Sequence, residues 1–438
     1  MKKRAISLLL AALILAFPAV SASCGDAGES VLDLGTDAVS RSISVRRTKD
    51  GTDAVTELTI PGSEIIQDEP TQEQLEEDRK PEENFFGRRC ITALPQNRVT
   101  ATGFSYKWKT DYNDGILDKT VLQCYFDGEL KWTADLQRAN LTRCVHTGAG
   151  TAVWGYNFFD GGNKYAWIGL IDEEGTLLWK QSGFRHGFER FEYVNNVFDN
   201  GGGTWTAFST GDNRYTCAAV FDVYGNELKY TKSDVGNYTI SYVERSGDGY
   251  IVVLSDYPYM ATIALTDADG KVTDTFSIEN DECAYYISDI AVAGGRVYIS
   301  AYAVQITGEG KGETAALING LHESLMSMMT PTTYGIIHDS PELTRLIRDK
   351  YTAVLFICGE DAVPEAFFSV KGSLGGELTV NDDGRIEWET DSIVGSGYSA
   401  ETSAFTITEV CTVFRHTFGA DGKLQKSVDT GKVISFAI

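Results

Sequence analysis

The chain has 438 residues, with 62 acidic against 38 basic side chains and a formal net charge of −24. Its charged (23%) and hydrophobic (42%) fractions are those of a globular protein, which excludes bulk disorder. The charge argues against nucleic acid and against an anionic lipid surface as partners, because both would repel it.

At the N-terminus Lys2, Lys3 and Arg4 precede an apolar stretch from Ala5 to Val20, followed by Ser21, Ala22, Ser23 and Cys24. This predicts a secretory signal over 1–23, too short and wrongly flanked for an ordinary membrane span. Cys24, followed by Gly25 and Asp26, resembles the lipid-accepting cysteine of bacterial lipoproteins, although Ser21 stands where that motif usually has Leu or Val. Cleavage after Ala22 into a secreted chain is the other route. Both routes predict export, with membrane contact only through an N-terminal lipid.

Residues 24–89 read as an acidic tether with one ordered island. From Glu64 to Glu83 there are nine carboxylates against Arg79 and Lys80. Such a stretch buries too little apolar surface to order itself and reads as solvated linker. The island, Ser42 to Ile60, alternates about Asp50-Gly51 and predicts a hairpin.

From residue 90 to 438 the signal is a repeat. One half of each unit is an apolar run entering an Asp/Asn-Gly turn. Its glycines fall at 128, 175, 225, 270, 320, 384 and 422, in steps of 47, 50, 45, 50, 64 and 38. The other half is a strand, a glycine turn and a more apolar strand, with glycines at 150, 203, 249 and 295, in steps of 53, 46 and 46. Two markers in one period, with four short strands per unit, predict an all-β fold, a β-propeller of about seven four-stranded blades, with six or eight as neighbouring counts. Continuous apolar runs such as Tyr250–Leu254 and Tyr351–Ile357 suit middle strands buried on both faces. The long step between Gly320 and Gly384 places an insertion near Met326–Arg348, where Ser340-Pro341-Glu342 predicts a helix start. The apolar C-terminal run Lys432–Ile438 predicts a closing strand, for which Ser42–Ile60 is the available N-terminal partner.

The Asp-x-x-Gly-x-x-x-Trp of Asp172–Trp179, with relatives ending at Trp132 and Trp388, resembles blades of bacterial exported propellers of the quinoprotein-like (PQQ-like) group. The resemblance implies the fold and, because the vicinal cysteine pair of the quinone enzymes is absent, a non-enzymatic relative with no cofactor. The tryptophans are then wedges between blades.

No catalytic set can be placed. His322-Glu323 lacks a second histidine at metalloprotease spacing, Gly308–Gly312 lacks the Lys-Ser/Thr ending of a phosphate loop, and Gly395-Ser396-Gly397 is a turn. Asp111–Gly115 and Asp267–Gly270 lack calcium-loop spacing and read as turns, so no metal is expected. Besides Cys24, the cysteines at 90, 124, 144, 217, 283, 358 and 411 form no CxxC pair, and several read as small buried hydrophobes. The expected function is a binding module for a protein or glycan. The competing reading is a glycosidase or lyase using carboxylates from several blades.

Overall fold

The computed structural model describes residues 30–32, 34–49, 51–67, 103–113, 116–158, 164–182, 185–186, 189–211, 215–235, 239–256, 259–280, 282–305, 336–337, 344–345, 348–381, 383–401, 404–419 and 421–437. The signal segment, Cys24, Cys90, the acidic run beyond Gln67, Gly308–Gly312, Gly320, His322 and the helix start at Ser340–Glu342 lie outside them.

Three strands precede the repeat: β1 (Ser30–Leu32), β2 (Thr36–Lys49) and β3 (Thr52–Ile65). Blade one is β4 (Phe104–Asn113), β5 (Ile116–Phe126) and β6 (Glu129–Asp135). Blade two is β7 (Asn140–Thr147), β8 (Gly150–Phe158), β9 (Lys164–Ile171) and β10 (Leu177–Ser182). A short β11 (Arg185–His186) leads into blade three: β12 (Glu189–Gly201), β13 (Thr204–Gly211), β14 (Thr216–Asp222) and β15 (Glu227–Ser233). Blade four is β16 (Thr239–Ser246), β17 (Gly249–Asp256), β18 (Tyr259–Thr266) and β19 (Val272–Glu279). Blade five is β20 (Cys283–Ala293), β21 (Arg296–Gln305), β23 (Tyr351–Cys358) and β24 (Pro364–Lys371), with β22 (Ile336–Ile337) in the connection between its middle strands. Blade six is β25 (Ser373–Val380), β26 (Ile386–Glu401), β27 (Ala404–Phe418) and β28 (Leu424–Ala437).

Each blade is an antiparallel meander, and from blade two onward its first strand packs on the blade before it. The chain is an all-β propeller. Six blades are present among the described residues, against the seven suggested by the turn glycines. Gly384 and Gly422 both belong to blade six, one in each of its two tight turns. Blade five makes the same turn without a glycine at the key position. Its turn residue is Ala362, with φ 60°, and Ala362 N–H bonds Gly359 O at 2.9 Å.

The repeated turn has a physical basis. Asp172 Oδ1 accepts the N–H groups of Glu174 (3.0 Å) and Thr176 (2.7 Å), and Gly175 takes the left-handed φ of 86° that closes the loop. Asp222 and Asp267 repeat the arrangement. The turn of one blade then receives the tryptophan of the previous one. A Cβ on Gly225 would lie 2.9 Å from the Trp179 ring, whose Nε1 donates to Val223 O at 2.7 Å. Trp132 lies under Gly175 in the same way, and the fully buried Trp388 donates to Ser300 Oγ of blade five at 2.9 Å. The three tryptophans are wedges between blades.

Polar latches join the inner strands. The first strand of five blades carries a register shift, at Leu141/Arg143, Val194/Asn196, Ile240/Tyr242, Ile287/Asp289 and Gly375/Leu378. Two of these bulges aim a polar side chain at the next blade. Asn195 Nδ2 donates to Ile240 O at 2.8 Å, and Asp289 Oδ2 accepts Leu378 N–H at 2.8 Å.

The N-terminal strands correct the tether reading over its described part. The hairpin expected at 42–60 spans Thr36–Lys49 and Thr52–Ile65, and it is inserted between two blades. β2 pairs antiparallel with β19, the outer strand of blade four, and β3 pairs parallel with β24, the outer strand of blade five. The result is one ten-stranded sheet. Glu64 and Ile65, read as the start of solvated linker, end β3, and Ile65 is buried between strands of blades five and six. The partner of the closing strand is also different: β28 pairs with β27 and, on its outer edge, with β1. No local pattern announces these pairings, because the partner strands lie more than 200 residues away in sequence.

Within the hairpin Val39, Ile43 and Val45 face the core between blades four and five, and Arg47 shares that face. Arg47 bonds Asp274 of β19, which is only 4% exposed, and Asp361 lies 3.9 Å from the same guanidinium. Arg47→Met leaves the Asp274 carboxylate buried without its counter-charge. It is expected to lower stability by about 3–5 kcal/mol in urea unfolding, the cost of breaking a buried pair. A loss under about 1 kcal/mol would mean that the hairpin is held by its apolar face alone.

Candidate functional site: the loop face

In a four-stranded antiparallel meander the first and third turns emerge at one end, and the second turn and the inter-blade crossing at the other. The three described strands of blade one correspond to the second, third and fourth of the other blades, since Trp132 on β6 sits under Gly175 as Trp179 on β10 sits under Gly225. Both glycine markers therefore fall on a single face, where the tight turns lie. The opposite face carries the longer connections, including 306–350, and insertions on such a face are where recognition residues concentrate. Blade six adds to that face. β26 and β27 have 16 and 15 residues, and their pairing runs on to Glu401 and Ala404. Within the connection 306–350, β22 pairs with Ser399 and Tyr398 of this extended hairpin. Near its end Asp349 N–H bonds Arg345 O at 3.0 Å, the i−4 bond of a helical turn.

On the same face of blade one, Asp118, Lys119, Asp135, Gln137 and Arg138 line an open cleft of about 410 Å³. Its floor is pinned by backbone. Gln137 takes φ 56°, its carbonyl accepts Thr120 N–H (3.0 Å) and Ala139 N–H (2.9 Å), and its own N–H donates to Asp135 Oδ1 at 2.8 Å. Lys119 Nζ lies 3.0 Å from Asp135 Oδ2. The Gln137 N–H and then Lys119 hold the Asp135 carboxyl below its ordinary range. Asp135 stays an anion at neutral pH and accepts hydrogen bonds there. Sequence reasoning missed this group because its members come from two strands and a crossing, and no spacing rule links them.

The other chemistry-bearing residues are structural. Asp267 Oδ1 is spent on the N–H groups of its own turn, as the turn reading expects. Asp199, in the Asp-Asn-Gly-Gly-Gly stretch, bonds Gly201 N–H (2.8 Å) and, across to blade two, Gly148 N–H (3.0 Å). Cys124, Cys217, Cys358 and Cys411 are buried, and burial pushes the thiols of Cys124 and Cys358 up. Among the described residues no three His, Cys, Asp or Glu side chains converge on a metal-sized site. His416 is fully buried in blade six, with Nδ1 2.9 Å from Ser427 Oγ and Nε2 3.0 Å from Thr390 Oγ1. It is a cross-strand polar ladder shut off from solvent.

No family model matches the chain, and no curated protein matches its sequence. Similar solved structures include the β-propeller domain of the Trilobed protease from Pyrococcus furiosus, 10% identical, covering 75% of this chain and 95% of that one at a TM-score of 0.36. The WD40 domain of Toxoplasma gondii coronin is 8% identical, covering 92% and 89% at 0.38. The Dos1 propeller is 10% identical, covering 72% and 74% at 0.36. These likenesses are too distant to bear on activity, and the fold assignment rests on the strand pairing itself.

Burial pushes the pKa of His416 down to about 3, so the native state keeps it neutral. An unfolded histidine takes up its proton near pH 6.5. The stability it supports is therefore full above that pH and is lost as pH falls toward 3, at about 1.4 kcal/mol per pH unit. His416→Gln is expected to flatten the fall in melting temperature between pH 6.5 and 4. An unchanged slope in that variant would show that another group dominates acid unfolding.

Proposed function

We propose that this chain is an exported propeller, anchored to the cell envelope through Cys24, that binds a protein or glycan with its loop face. The observation that carries the reading is the convergence of the 306–350 connection and the blade-six hairpin through the β22–β26 pairing. A rigid repeat scaffold holds that convergence, while the opposite face is restricted to tight turns. The N-terminal signal and the likeness of the Asp172–Trp179 blade to exported quinoprotein-like propellers support the address. Two of the three buried aspartates among the described residues serve structure: Asp274 pairs with Arg47, and Asp289 accepts backbone N–H groups. That favours binding over glycoside chemistry.

The test uses the purified mature chain on a printed glycan array and on immobilised envelope proteins. Replacing 306–335 with a short Gly-Ser linker is expected to abolish the signal. Tyr224→Ala, on the turn face where Tyr224 is 78% exposed, is expected to leave it unchanged. Equal binding by the loop-shortened chain, or loss on Tyr224→Ala, would move the binding surface elsewhere.

A further inference from the structure

The inner face of β2 carries two arginines, and only one has an acidic partner. Arg47 has Asp274 and Asp361. Arg41, two residues before the buried Ile43, has the Tyr285 hydroxyl at 3.1 Å from Nη1 and two ring faces. Its guanidinium carbon lies 5.0 Å from the Phe367 ring centre and 5.9 Å from that of Tyr285. Among the described residues no carboxylate reaches it, whereas Arg46 and Arg47 on the same strand each have one. Turning a cation inward over an apolar layer without an anion is unfavourable, and cation–π contact with two rings offsets only part of that.

The place is on the loop face. Asn280, in the crossing from blade four to blade five, donates to the carbonyl of Ser42 at 2.7 Å, next to Arg41. Tyr285 stands near the start of β20, just after that crossing, with the exposed Glu282 and the half-buried Cys283 beside it. Phe367 is fixed against the hairpin because Gly62 opposite leaves room for its ring; a Cβ there would lie 2.4 Å from it. Beneath Tyr285 the core holds a void of only about 10 Å³, lined by Ile263, Ile278, Ile287 and Phe356. A ligand must therefore come from the loop face and meet the guanidinium edge.

We infer that Arg41, with Tyr285 and Phe367, forms a binding site for a carboxylate group at the junction of blades four and five. A guanidinium presents five N–H donors in a planar fork, and the Tyr285 hydroxyl takes one of them. The remaining fork matches the two oxygens of a carboxylate, and the ring contacts hold its plane in place. The carboxylate can come from an acidic sugar or from a simple organic acid. The inference rests on the loop face being the binding surface and sharpens it at one point.

Isothermal titration of the mature chain with sodium D-glucuronate and with sodium acetate, at ionic strength fixed by sodium chloride, tests it. Saturable heat with glucuronate alone assigns the site to an acidic sugar, and saturable heat with both assigns it to the carboxylate itself. Arg41→Gln is expected to weaken binding about ten- to hundredfold, the loss of a charge-assisted pair. Arg41→Lys, which keeps the charge and the fold but loses the fork, is expected to weaken it about tenfold. Equal affinity in both variants, or no saturable heat with either salt in the unmodified chain, overturns the site. The loop-shortening experiment above is independent of that result, so the broader reading can stand or fall separately.

Discussion

The outer edge of a propeller blade is a row of unpaired N–H and C=O groups, and the architecture here is organised around what covers it. Six blades present six such edges, each a template for pairing with another chain. On blades four, five and six the covering comes from residues 30–65: β2 on β19, β3 on β24 and β1 on β28. On blades one, two and three no strand covers the outer edge among the described residues, and the outer strands carry lysines at Lys131, Lys180, Lys229 and Lys232, as β28 does at Lys426 and Lys432. Several of these lie over rings of the adjacent strand, Lys180 at 4.9 Å from Trp167 and Lys131 at 5.5 Å from Phe126. One half of the ring is protected by backbone pairing and the other by charge.

Between blades the work is divided by depth. Near the axis, bulged first strands turn Asn195 and Asp289 onto the backbone of the next blade, and these bonds fix spacing. Toward the rim, tryptophans fill the gap under the neighbouring turn, and there apolar contact dominates. Trp132 and Trp179, on the outer strands β6 and β10, pack against Gly175 and Gly225 of the next blade. Directional bonds set the register inside, and volume sets the angle outside.

This division explains how much could be read from the sequence. The Asp-x-x-Gly turn is local, four or five residues satisfying their own N–H groups, so its period and the blade signature were visible. The wedge role of Trp132, Trp179 and Trp388 came as an implication of the resemblance that the motif ending in these tryptophans carries. Blade five broke the pattern because Ala362 takes the left-handed conformation with its side chain wholly buried, which a glycine search passes over. The hairpin was visible as a hairpin, but its place was not, since pairing with β19 joins residues such as Arg46 and Glu279. The blade-one cleft and Arg41 left no pattern, because their geometry is made by crossings rather than by repeats.

The inserted hairpin has a consequence for the order of events in folding. It is made early in synthesis, yet β19 is completed about 210 and β24 about 300 residues later, roughly 10–60 s at 5–20 residues per second. Until β19 is made both of its edges are open, and its apolar face, with Val39, Ile43 and Val45, has no blade to pack on. The last of its neighbours, β24, must also be reached in parallel, a pairing of high sequence separation that loop closure makes slow. Final assembly is therefore a docking step. Blade four can receive the hairpin on β19 first, and the two blades become one sheet only when β24 reaches the other edge.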